Sequence, residues 1–360
     1  MNYGRLRQSA VIAGVLGLGA LAACGSGEER QGAGDSTAAP TSAAGAGSLV
    51  YVSDEVGDSI IVIDSRTDSV VSTFSAGQRP RGIRLSPDGS SLIVAVSGSP
   101  RGGPGVDEST LPPPDRSKDG IAIVNLSTRE VRRLQGGHDP ESFDLARNGQ
   151  TVYVSNEDAG TATAVDIPSG KIIATIEVGG EPEGVETRPD GKEVWVTSEE
   201  HHSISVIDVS SNKAVATIEV GERPRSVIFT PDGAKAYVPG ELGNSVTVVD
   251  AQSHKVLKTI RVPGEGAKPM GSTISPDGKF VYVTNGRGGT VSVIATGTDS
   301  VVSTFEVGSR PWGIGITPDG KKLYTANGPG RDVSVIDAAT NKVLKKIPVG
   351  QSPWGIAISK

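Results

Sequence analysis

The chain has 360 residues, among them 48 glycines, 23 prolines and one cysteine, with 36% hydrophobic and only 4% aromatic residues. One cysteine excludes an internal disulfide framework, a Cys-rich zinc module and an iron–sulfur site. A formal net charge of -6 without a basic stripe argues against nucleic acid, whose phosphates call for clustered Lys and Arg.

In chain order, Arg5 and Arg7 precede an apolar stretch from Ala10 to Ala23. A basic region followed by a short apolar run reads as a signal peptide over residues 1–23, too short for a membrane span. Leu21-Ala22-Ala23-Cys24 resembles the lipobox of bacterial lipoproteins. That resemblance implies cleavage before Cys24, lipidation of its thiol and a membrane anchor on the exported side of a bacterial cell envelope; a plain cleaved signal is the alternative. Residues 24–48 carry the cysteine and then no aromatic or large aliphatic side chain, so they read as a flexible tether with a reach of roughly 25–30 Å.

From Leu49 to Lys360 the chain repeats itself. An aromatic or aliphatic marker, followed by small or polar residues and a loop, recurs at Tyr51, Ile93, Tyr153, Trp195, Tyr237, Tyr282 and Tyr324, with spacings of 42, 60, 42, 42, 45 and 42 residues. Such a period suits one four-stranded propeller blade. The unit from Gly313 is typical. An inner strand of small residues, Gly313–Thr317, is followed by the Pro318-Asp319-Gly320 turn and by strands around Leu323–Ala326, Val333–Asp337 and Val343–Ile347. Seven inner strands are countable, but the last has no successor, whereas residues 49–74 supply three strands without an inner partner. The ends therefore complete one blade together, which predicts an all-β, seven-bladed β-propeller of four-stranded antiparallel blades.

Tyr153-Val-Ser-Asn156, Tyr282-Val-Thr-Asn285 and the recurring V-x-V-I-D and P-D-G-K elements resemble the YVTN-repeat propeller family over residues 49–360. The inter-blade loops Gln78-Arg-Pro-Arg-Gly82, His138-Asp-Pro-Glu141, Glu181-Pro-Glu-Gly184, Arg223-Pro-Arg225 and Pro353-Trp-Gly355 resemble those of the PQQ-dependent-catabolism-associated subgroup. That resemblance implies an exported accessory of a quinoprotein system. The chain departs from the pattern in a surplus at about residues 97–119 and in the loop Gly264–Pro269.

The P-D-G tripeptides, and Asp64, Asp166, Asp208, Asp250 and Asp337, recur at fixed places in the repeat and read as turn chemistry. Function is better sought where units differ. The residue after the loop proline of each unit reads Arg81, Glu141, Glu183, Arg225, Met270, Trp312 and Trp354, which seven-fold geometry sets in a ring around one mouth of the channel. With Arg79, this ring is the expected ligand- or partner-binding surface. Loops of the same face hold His138, His201 and His202. With Glu141 and Glu183 they compose a candidate divalent-metal site, or they are solvated surface histidines. Trp312 and Trp354 offer a stacking surface or simply pack between blades. The surplus reads as a lid, a docking arm or a neutral insertion.

No nucleophile elbow, phosphate loop, dinucleotide fingerprint or zincin motif is present. The expectation is a monomeric, lipid-anchored binding or scaffold module that engages an envelope protein or small ligand. No cofactor is implied except a divalent metal. The alternative is a metal-dependent, lactonase-like hydrolase or a lyase with its site at the channel mouth.

Overall fold

The computed structural model describes residues 47–101 and 110–360. The expected signal peptide, Cys24 and most of the tether lie outside them, as do residues 102–109 of the surplus. The described residues form seven four-stranded antiparallel sheets. Numbered around the ring, blade one combines Pro353–Ile358 on the inside with Leu49–Asp54, Ser59–Asp64 and Ser69–Phe74. Blades two to seven follow at residues 83–134, 140–177, 182–219, 228–261, 269–306 and 311–348. The closing pair is antiparallel, with Val50 opposite Ile358 and Val52 opposite Ile356.

The core lies between blades. Val50, Val52, Ile61 and Ile63 of blade one interdigitate with Tyr324, Ala326, Val333 and Val335 of blade seven, and the other blade faces of blade one and blade two meet in the same way. All seven marker residues are buried, and their position has a further use. The Tyr324 hydroxyl donates to Asp68 of the next blade at 2.8 Å, and Tyr153 does the same to Asn212. Tyr237 donates to Asp299, and Trp195 stacks edge-on against His254. Asp68, Asn212, His254 and Asp299 each occupy the left-handed position of the turn between third and fourth strands, with φ between 48° and 59°. One aromatic per unit therefore latches each of these blades to the next.

The Asn of the YVTN element is structural. Asn285 donates to Thr290 and Ser292, and Asn327 donates to Asp332 and Ser334, tying the second strand to the third. The turn carboxylates behave as the repeat predicts: Asp88, Asp277 and Asp319 accept the backbone N–H two residues on, and Asp337 accepts from Thr340. Fourth strands are exposed, but lysines such as Lys255, Lys258, Lys342 and Lys345 interrupt their Val, Leu and Ile residues and keep these outer edges from pairing with another sheet.

The aromatic latches set the scale for substitution. Tyr324→Phe removes one donor from Asp68 while Lys322 stays in place, and is expected to cost about 1 kcal/mol. Trp195→Ala empties a fully buried site and is expected to cost about 3–5 kcal/mol. Thermal unfolding followed by circular dichroism measures both; equal losses would contradict the division of labour between hydrogen bond and packing.

Candidate functional site

Two local devices aim the ring residues at the channel mouth. In blades three, four, six and seven the inner strand pairs at its proline, then slips register before resuming two residues after the ring residue, as between Pro182 and Val185. Such a bulge re-aims the side chain it contains. The residue before the proline is left-handed in six units: Arg79, Asp139, Glu181, Arg223, Lys268 and Arg310 have φ between 46° and 62°. That region is costly for non-glycine residues and is held here by the surrounding contacts. A hydroxyl of one blade then fixes the ring carbonyl of the next: Ser53 donates to Arg81 O and Ser155 to Glu183 O at 2.7 Å, and Thr284 to Trp312 O at 2.8 Å. Where a glycine follows the ring residue, the chain comes close to the neighbouring backbone. A Cβ on Gly313 would lie 2.4 Å from Trp354 O.

The ring divides into a charged arc and an aromatic arc. Arg81, 2% exposed, reaches into blade three, where it binds Asp139 at 2.6 Å, Glu157 at 2.9 Å, Glu141, and the Pro140 carbonyl. Arg79 bridges Glu55 at 3.0 Å and Asp139 at 3.4 Å. On the next blades Arg225 binds Glu183 at 2.8 Å and Glu199, and Arg223 shares Glu199 with it. Glu241 stands 3.6 Å from Arg223 and 3.8 Å from Arg225. Four arginines thus face seven carboxylates. On the opposite arc the Trp312 and Trp354 rings lie 6.0 Å apart at 37°, half-buried beside Met270, and the Arg310 and Arg225 guanidiniums stand 5.0 and 5.7 Å from the Trp312 ring.

The imbalance is met by protons. Burial, only partly opposed by Arg81 and reinforced by Glu183 and Glu157, drives the Glu141 pKa well above the carboxylate range. Burial likewise pushes Glu183 up to about 7 against the pull of Arg225. Glu157 goes the other way: burial is outweighed by the Arg81 charge and hydrogen bond, and its pKa falls to about 2. Arg81 itself loses from burial but is held protonated by Glu141, Asp139 and Glu157.

Of the residues expected at the mouth, Arg79, Arg81, Glu141, Glu183 and Arg225 come together in this network, and Trp312 and Trp354 form its aromatic counterpart. The histidines do not join. His138, His201 and His202 are all exposed, and His202 Nδ1 accepts the Arg223 N–H. Among the described residues the carboxylates close enough to share a cation are Glu141, Glu157 and Glu183, with one oxygen each within 4.8 Å of the others. Arg81 and Arg225 already bring their guanidiniums onto these residues, so a metal ion would have to displace an arginine. The visible part of the surplus leans over the same mouth. Arg101 reaches Ser352 and Glu55 of blade one, and Arg116 reaches Asp158 of blade three.

Behind the mouth runs a channel cavity of about 600 Å³ that includes Glu183, Arg225, Trp312 and Trp354 in its wall. Three residues further along the inner strands, roughly 10 Å deeper, it holds a second charged group that the sequence reading missed. Arg84 spans two inner strands, donating to Phe143 O at 2.9 Å and Val185 O at 3.3 Å. It pairs with Asp144 at 3.2 Å and Glu186 at 2.5 Å. Burial pushes Glu186 up to about 7 despite Arg84. The signal was present: the position three after each ring residue reads Arg84, Asp144, Glu186, Ile228, Thr273, Gly315 and Ala357, charged in three successive units and uncharged in the rest.

Seven closed sheets around one channel decide the architecture. The chain is a seven-bladed β-propeller. A family model described as "Lactonase, 7-bladed beta-propeller" matches residues 181–348. Similar solved structures include a putative 6-phosphogluconolactonase from Bacteroides fragilis (19% identity, TM-score 0.70, 87% of this chain and 98% of that one) and another from Bacteroides uniformis (19%, TM-score 0.71, 87% and 99%). Hydrazine synthase of Kuenenia stuttgartiensis is also similar (20%, TM-score 0.68, 81% and 92%). At these identities the structural likeness shows the fold alone. No curated protein matches the chain.

The propeller's charge network yields two expectations. Arg81→Met strands Asp139, Glu141 and Glu157 without their central cation and is expected to destabilise by about 3–5 kcal/mol at pH 8. The loss shrinks toward pH 5 as these carboxyls take up protons, which urea unfolding at both pH values measures. In the native chain Glu183 and Glu186 bind protons up to about pH 7, whereas an ordinary glutamate releases its proton near 4.5. The folded state then holds more protons than the unfolded between these values, so their contribution to stability declines as pH rises through that window. The Glu183→Gln/Glu186→Gln double variant should flatten this slope; an unchanged slope would place the titration elsewhere.

Proposed function

We propose that the protein is a lactonase-like hydrolase working at the channel mouth, with Glu183 as general base. The observation that carries this reading is the buried Glu183 carboxyl, pushed up to about 7, set in the wall of the channel and bonded to Arg225. A base poised near the working pH suits proton transfer, and a desolvated guanidinium suits a developing oxyanion. In the proposed step a water oxygen attacks the lactone carbonyl while Glu183 takes its proton. Arg225 stabilises the tetrahedral oxyanion; the ring C–O bond then breaks, and Glu183 returns the proton to the leaving oxygen, giving a hydroxy acid.

The match of residues 181–348 to a lactonase model supports this reading over the binding or scaffold module that the sequence first suggested, because that segment contains both Glu183 and Arg225. A divalent metal on Glu141, Glu157 and Glu183 is not required, since Arg81 and Arg225 supply positive charge at those oxygens. Export and anchoring through Cys24 belong to the same proposal and would put the activity outside the cytoplasmic membrane.

The test is hydrolysis of simple δ-lactones, followed as acid release above the spontaneous rate. kcat/KM is expected to rise with pH and level off above about pH 7, and Glu183→Gln to lower kcat by roughly 10²–10⁴-fold. Full activity in Glu183→Gln would remove Glu183 from the chemistry; activity lost on chelation and restored by one divalent cation would reassign the three carboxylates to a metal.

A further inference from the structure

The similar structures described as putative 6-phosphogluconolactonases invite a phosphorylated substrate, but the charged walls of this channel point to another class. Every arginine of the charged arc is matched to carboxylates that outnumber it, and Arg84 deeper down already faces two. An anionic group beside Arg84 or the charged arc would have to compete with carboxylates already in place. Near the mouth, Lys268 and Arg310 have no carboxylate partner among the described residues and are not part of the cavity wall; Arg147 and Lys360, also without an ion pair there, line the cavity only six residues past the ring, away from Glu183 and Arg225.

What the deeper group offers is paired donors and acceptors. Arg84 uses Nε and Nη2 on Phe143 O, Val185 O and Glu186, which leaves Nη1 without a partner among the described residues. Asp144 accepts from the Thr187 N–H and forms an ion pair with Arg84, and Glu186 lies alongside at a pKa near 7, able to give or to accept a proton in a hydrogen bond. A hydroxyl both donates and accepts, so neighbouring hydroxyls can satisfy a guanidinium and a carboxylate together. Opposite, the wall is apolar: Trp312 and Trp354 near the mouth, then Ile314, Ile316 and Ile356. A ring with hydroxyls on one side and C–H groups on the other matches both walls, and a cavity of about 600 Å³ falls in the range of small-molecule sites.

We propose that the substrate is a neutral, hydroxyl-rich lactone of the sugar type, held by Arg84, Asp144 and Glu186 in the channel with its carbonyl toward Glu183 and Arg225. This rests on the hydrolase reading above and adds the substrate class. Arg84, Asp144 and Glu186 are positioning residues in it, roughly 10 Å along the strands from the proposed base.

The experiment compares glucono-δ-lactone with its 6-phosphate ester, using the full-length protein and correcting for spontaneous opening. The neutral lactone is expected to have a kcat/KM at least tenfold higher. Arg84→Met and Glu186→Gln should each raise its KM about tenfold with kcat within threefold, whereas Glu183→Gln lowers kcat; the isosteric Glu186→Gln keeps the test valid if Arg84→Met fails to fold. Preference for the phosphate ester would overturn the substrate class and leave the hydrolase standing. Turnover of neither lactone would sink the hydrolase. In that event saturation-transfer NMR with glucose as the probe decides the ligand class: binding lost in Arg84→Met supports it, and no binding overturns it. Unchanged KM in both channel variants would likewise overturn the assignment of these residues.

Discussion

The antiparallel pairing of Pro353–Ile358 with Leu49–Asp54 is the contact on which the other features depend. Without it the propeller is an open row of blades with an unpaired edge at each end, the arrangement that invites pairing with other chains. The same junction builds the site. Ser53 accepts the Gly355 N–H at 2.9 Å and donates to the Arg81 carbonyl at 2.7 Å, so the strand that closes the ring also positions the arginine that organises the charged arc. Asp54 adds a second clamp by accepting the N–H groups of Gln351 and Ser352. Closure and site geometry are therefore one problem, and a loss of pairing here would be felt first at the channel mouth.

A cluster of seven carboxylates around four arginines is tolerable only because its charges are unevenly protonated. Two unit charges 4 Å apart interact by about 4 kcal/mol at an effective dielectric of 20, against about 1 kcal/mol in water. Burial penalises the ionised form of each enclosed carboxylate, and at Glu141 and Glu183 the arginines offset that penalty only in part. The structure resolves this by sorting: Glu157, bonded to Arg81, stays ionised well below the usual range, whereas Glu141 and Glu183 are driven upward. Proton transfer near neutral pH is then a by-product of how the network satisfies itself. Carboxyls with opposed shifts in one enclosed cluster are what supports placing the proposed chemistry at this mouth.

Much of the scaffold was legible because a repeat advertises itself locally. Marker aromatics at near-constant spacing, Asp-Gly turns and a missing inner strand at one end are enough to count blades and to see how the ring closes. The ring residues were legible for the complementary reason, since a symmetric socket filled by Arg, Glu, Met and Trp in turn must differ for something other than folding. The histidines misled because loop membership says nothing about direction: His138, His201 and His202 share the face with the carboxylates yet point to solvent. Glu157 shares that face by loop membership as well, but it is drawn into the cluster by Arg81 of the preceding blade. Arg84, Asp144 and Glu186 were hidden by periodicity, because a charged residue within a short alternating strand looks like an ordinary outward-facing position until the strand is known to line a channel.

Symmetry and asymmetry divide the work along the channel. At both levels, the mouth and the position three residues deeper, the charged side chains come from consecutive blades, whereas the other blades contribute Met270, Trp312 and Trp354 above and Gly315 and Ala357 below. Two charged patches stacked on one wall, facing a mainly apolar wall that also holds Ser272 and Thr273, give the channel a polarity across its axis as well as along it. A ligand cannot rotate freely in such a tube: turning it by half a revolution would bury its hydroxyls against Ile314 and Ile356 and set its C–H face on Arg84, leaving buried polar groups unpaired at about 1–3 kcal/mol each. Orientation of this kind is what a hydrolase needs to bring one carbonyl face to one base. It arises here from nothing more elaborate than placing unlike residues in equivalent positions of a seven-fold scaffold.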